Sequence, residues 1–111
     1  MNRLPMSRAA SALIRVLIAR SGASRDRILV TEARSTDWQS LTFTGERHQL
    51  HFRVLAPHSM PLVERLGRDL EDAEFSIPGI IVADIAIAGE PRTGLDGSTT
   101  VVIEALTLAA D

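Results

Sequence analysis

Two runs of alternating apolar residues that meet at a glycine constrain this chain more than any other feature. Leu41 and Phe43 share a face ahead of Thr44, Gly45 and Glu46, and Leu50, Phe52 and Val54 share one after it. Alternation with a period of two around a glycine predicts a β-hairpin. Pro57 ends its second strand, because proline has no N–H for the ladder. An isolated hairpin is only marginally stable, so its apolar face needs further strands or helices. At 111 residues, 45% of them apolar and 23% charged, the chain is read as a single domain over 1–111, with 1–6 flexible.

Helices supply part of that cover. Ser7 is placed to cap a helix running to about Arg20, and Gly22 to end it in the left-handed conformation. Ala10, Leu13, Ile14, Leu17 and Ile18 recur at three- and four-residue intervals and give it one apolar face. Residues 28–34 read as a strand. Ser59 is expected to cap a second helix, with Pro61 in its first turn, running to about residue 73. Strands follow at about 80–88 and 98–108, joined by a glycine-rich loop over 89–97. The order is therefore α-β-β-β-α-β-β. The fold class is α+β, a mostly antiparallel sheet with two helices packed on one face.

The last two strands are apolar on both faces. Ile81, Ala83, Ile85 and Ile87 alternate with Ile80, Val82, Ala86 and Ala88, and only Asp84 interrupts the second set. Leu106 and Leu108 extend it on the closing strand. Strands of this kind belong between two layers, and two helices on one side leave the other bare. The expectation is an oligomer interface built from Ile80, Val82, Asp84, Ala86, Leu106 and Leu108. Charge is divided as well: residues 1–63 carry nine arginines against four acids, and residues 64–111 three against ten. Such a division suits contact between opposite surfaces of two copies.

Chemistry is harder to find. There is no cysteine, which removes thiol nucleophiles and cysteine-based metal sites. His48 and His51 stand an odd number of residues apart on a strand and point to opposite faces; His58 lies beyond Pro57. No metal site is expected, and His48 reads as a partly buried histidine with a backbone partner. Asp84 and Glu104 on neighbouring strands are the one carboxylate pair, read as acids that interrupt an adhesive surface rather than as catalysts. Arg47, His51 and Arg53 form a cationic stripe, but with only Trp38 near them the pattern argues against direct nucleic-acid binding. No cofactor is expected and the chain is read as non-enzymatic. Arg15 splits the apolar run near the start, so no signal peptide is expected, and no stretch reaches the roughly 18 apolar residues of a membrane span.

From Asp37 onward the sequence resembles the tail-completion, or tail-terminator, proteins of long-tailed phages and gene transfer agents. The residues that carry the likeness run from Trp38 through Phe43 and Gly45 to His48, followed by alternation to Leu55. Then come the helix from Pro61 to Ala73, the segment from Phe75 to Gly79 leading into Ile80, and Arg92, Asp96 and Gly97 ahead of a strand reaching Glu104. Residues 21–27 are shorter than the corresponding stretch in that family. The resemblance implies a homo-oligomeric ring, usually of six copies in that family, that ends the tail tube and joins the head connector. Its partners would be further copies of itself, tail-tube proteins and head-connector proteins. It would assemble in the cytoplasm and then reside in a phage-like particle. It also implies that Trp38, Phe43, Gly45 and His48 fix the hairpin, with Gly45 forming the turn, and that a loop bearing Glu90, Arg92 and Asp96 meets the partners. The other reading of the same residues is a small dimeric ligand-binding or regulatory domain.

Overall fold

The computed structural model describes residues 6–110; of the expected flexible start, residues 1–5 lie outside the described residues. Two α-helices and four strands follow one another as α1 (Arg8–Ser21), β1 (Ile28–Gln39), β2 (Thr44–Val54), α2 (Ser59–Gly67), β3 (Ile80–Thr93) and β4 (Thr99–Ala109). The strands form one sheet in the order β1-β2-β4-β3, and every neighbouring pair is antiparallel. The class is α+β. The strand count is four rather than five, so the order is α-β-β-α-β-β.

The missing strand has a physical cause. The two segments expected at 28–34 and around 41–43 are one strand and one turn. β1 pairs with β2 along its whole length, from Ile28 opposite Val54 to Gln39 opposite Thr44, and a single bulge at Thr31 absorbs the change of register. The turn therefore falls at residues 40–43. The Ser40 amide and hydroxyl both bond the Phe43 carbonyl, and the Phe43 amide bonds back to the Ser40 hydroxyl. Leu41 and Phe43 are consequently exposed rather than packed.

One face of the sheet carries both helices. Ser7 caps α1 by accepting a hydrogen bond from the Ala10 amide at 3.1 Å, and Gly22 closes it at φ 73°. Leu13, Ile14 and Leu17 from α1 and Leu62, Val63 and Leu66 from α2 bury against Leu50, Phe52 and Val54 of β2 and Val101, Ile103 and Ala105 of β4.

α2 is shorter than its apolar stripe suggests. It ends at Gly67, where a Cβ would stand 2.5 Å from Ile87 Cδ1, so the Ile87 side chain of β3 packs directly over the glycine. Asp69 then turns left-handed and a short 3-10 turn over Leu70–Asp72 returns Leu70 to the core. Arg20 of α1 reaches the end of α2 and donates to the Leu66 and Arg68 carbonyls, placing a cation where the helix dipole is negative. His58, not Ser59, is the capping position. The Ser59 hydroxyl instead donates to the Gly97 carbonyl at 2.6 Å and meets Thr99 Oγ1 at 2.6 Å, tying α2 to the β3–β4 turn.

The stretch expected as a long loop is mostly strand. β3 continues to Thr93, and the extra residues over 89–91 are taken up by a bulge in which Gly89 adopts φ 70°. Among the described residues no helix is long and apolar enough to cross a membrane.

Leu66 sits at the centre of this packing with 1% of its surface exposed. Leu66→Ala is expected to lower stability by about 2–5 kcal/mol through lost burial and the cavity left behind. Chemical denaturation monitored by circular dichroism checks it.

Candidate functional site: the uncovered sheet face

Among the described residues, nothing covers the face of the sheet opposite the helices. Register places its residues in rows across the four strands. Nearest the β1–β2 turn lie Trp38, Gly45, Leu108 and Ile81; next come Thr36, Arg47, Leu106 and Asp84; then Arg34, Gln49, Glu104 and Ala86. Beyond these stand Glu32, His51, Val102 and Ala88, and then Leu29, Arg53, Thr100 and Arg92.

This arrangement corrects the expected interface. Asp84, Ala86, Leu106 and Leu108 share the open face, whereas Ile80 and Val82 lie on the helix side. Ala83 is the reason. It is a bulge: Val82 pairs with Thr107 and Asp84 with Leu106, so two steps along β3 match one along β4 and the side-chain alternation inverts. Ile85, buried at 3%, and Ile87 therefore follow Val82 into the core, while Ile81 is exposed beside Leu108. Ile81 and Arg34 were missed as surface residues of this face. A bulge at an alanine leaves no mark in the amino-acid pattern.

Charges are sorted around the middle of the face, while Glu32 on β1 and Arg92 on β3 stand beyond it. Arg34 and Arg47 stand on the β1–β2 half, and Asp84 and Glu104 on the β4–β3 half, around a concavity of about 360 Å³. Arg34 also pairs with Glu32 at 3.0 Å, and the Gln49 amide donates to Glu104 at 3.5 Å. Asp84 and Glu104 do share a face, as a carboxylate pair on neighbouring strands would. Among the described residues no three histidine, aspartate or glutamate side chains converge as metal ligands.

Gly45 and His48 have roles other than those expected. Gly45 lies inside β2, outside the turn, and a Cβ there would stand 2.0 Å from the Thr107 carbonyl oxygen of β4. Glycine is required by the close approach of two backbones, not by a turn conformation. Trp38 is its partner on β1 and is half-buried on the open face. His48 faces the helices with 2% of its surface exposed. Its partners are side chains, not backbone: Nδ1 lies 2.7 Å from Ser35 Oγ and Nε2 2.7 Å from Thr107 Oγ1. Burial holds the imidazole below its ordinary pKa of 6.5, opposed by the Glu46 carboxylate. The neutral ring donates from one nitrogen and accepts at the other, and the two hydroxyls complement either tautomer.

The expected contact loop is divided between two elements. Glu90 and Arg92 belong to β3; Asp96 lies in the β3–β4 turn. The Asp96 carboxylate accepts from the Ser98 hydroxyl at 2.7 Å, from the Ser98 amide at 3.0 Å and from Arg53, and these contacts hold its pKa down to about 2. The turn is thus pinned, with Leu95 projecting fully into solvent at its tip. No protein family, curated protein or solved structure matches the chain.

Two outcomes are expected. Gly45→Ala forces the β2 and β4 backbones apart and lowers the melting temperature; an unchanged value would mean that the strands separate there without cost. His48 is depressed in the fold, so the unfolded chain binds more protons and stability rises with pH. Stability should therefore fall as pH drops below 6.5, and His48→Gln should remove that part of the slope in denaturant titrations at pH 7 and 5.

Proposed function

We propose that this chain is a non-enzymatic assembly subunit of the tail-terminator kind, forming a closed homo-oligomeric ring that ends a tail tube and joins a head connector. The observation that carries the reading is the pair of open sheet edges. With four antiparallel strands, the edge strands β1 and β3 run in opposite directions. A copy rotated about an axis near the strand direction can therefore set its β1 beside β3 of its neighbour in the favoured antiparallel sense. That contact joins different surfaces of two identical chains, which is the kind that closes rings.

Charge supports the same contact. Arg34 on β1 and Asp84 on β3 both face the open side, so edge pairing brings a cation of one copy towards an anion of the next. The regular stretches available are residues 32–39 of β1 and 84–88 of β3, between the bulges. The two turns then point to opposite rims of the ring. Leu41 and Phe43 project at one and Leu95 at the other, giving each rim its own apolar contact for tube or connector.

Native mass spectrometry and negative-stain microscopy of the purified chain, alone and with candidate tube proteins, test the reading. Closed rings are expected, lost in Asp84→Lys while circular dichroism and melting temperature stay near wild type. Rings that survive Asp84→Lys, or none under any condition, would overturn it.

A further inference from the structure

We infer that the uncovered sheet face is a two-fold docking surface for a second copy of this chain. The argument comes from the sorting of groups on that face. Two such faces can be stacked by a dyad along the strands or by one across them. A dyad across the strands lays β1 and β2 of one copy on β1 and β2 of the other, and an axis crossing at the middle of the face brings the neighbouring Arg34 and Arg47 rows of the two copies together. Like charges oppose that arrangement. A dyad along the strands lays the β1–β2 half on the β4–β3 half, so Arg47 stands over Leu106 of the second copy, one row from its Glu104, and Arg34 stands over its Ala86, one row from its Asp84; each diagonal contact of opposite charges occurs twice.

Shape follows the same operator. The rows keep their level under this dyad, so Leu108 falls over Gly45 of the other copy, where no side chain stands, and Trp38 falls over Ile81. Trp38 and Leu108 are half-buried and Ile81 is exposed, an apolar row that opposes itself across the axis, with the half-buried Leu106 in the row beside it. Central strands of 11 residues in a four-stranded sheet give a face of roughly 700 Å² at the usual spacings, near the about 800 Å² per partner of a specific interface.

This inference does not rest on the ring. Arg47 and Glu104 lie on the central strands β2 and β4, away from both edges, so changing them leaves edge pairing intact. The test uses the full chain at high micromolar concentration by sedimentation equilibrium. The wild type is expected to associate through this face in even multiples of the chain mass, as a dimer of single chains or of rings. Arg47→Glu and Glu104→Arg should each weaken the dimer roughly a hundredfold. An equimolar mixture of the two variants should restore it, because every contact in the mixed pair is again between opposite charges. Circular dichroism confirms that each variant is folded. A wild type that stays monomeric, single variants that dimerise as well as wild type, or a mixture that stays as weak as its components would each overturn the inference. Rings lost in Asp84→Lys but kept in Arg47→Glu would separate the two contacts.

Discussion

The contact on which the rest of this molecule depends is the central strand pair, β2 against β4. Leu50 opposite Ile103 and Phe52 opposite Val101 form an apolar block with essentially no exposed surface, and both helices are laid upon it. β1 and β3 are added at its sides. Because α2 is the crossover between β2 and β3, and α1 packs against α2, both helices remain on the same side. The fold therefore has one dry face and one open face.

Polar groups fix this arrangement where apolar packing alone would leave it free to slide. His48 sits between Ser35 and Thr107 and joins three strands through one buried ring. Ser59, Thr99 and Thr93 join α2 to the end of the β3–β4 hairpin. Arg27 donates to the Leu55 carbonyl at 2.7 Å and to that of Pro57, holding the connection that leads into α2. Ser35, His48, Ser59, Thr99 and Thr107 each have specific partners, so a shift of register would leave their polar atoms unsatisfied. Specificity of register here comes from hydrogen bonds and stability from apolar area.

Much of this was legible in the residues. The helix over Arg8–Ser21 announced itself by Ser7, Gly22 and a three-four apolar spacing, all of which act through local backbone geometry. Pro57 and the alternation of Leu50, Phe52 and Val54 marked β2 for the same reason. Strands apolar on both sides point to an open face, yet they do not fix which residues belong to it. Ile80 and Val82 were placed with Asp84 because strict alternation has no means of registering the bulge at Ala83. Gly45 reads as a turn residue because a glycine between two alternating runs carries the same signature whether it bends the chain or admits a neighbouring strand. The helix expected to reach residue 73 stops at Gly67, since apolar spacing continues through a change of backbone conformation that still buries Leu70.

The amino-acid sequence by itself determined the class of the fold, the approximate places of its helices and strands, the cap and close of the first helix, and the surplus of apolar strand surface. These follow from interactions between residues close along the chain or from counts of apolar groups. The tertiary structure alone decided the register of four strands, the inversion of β3 at its bulge, the enclosure of His48 by Ser35 and Thr107, and the sorting of Arg34 and Arg47 against Asp84 and Glu104. Those depend on which distant backbones come into contact. A one-residue change in pairing reverses the face of every side chain beyond it, and nothing local to that residue reports the change.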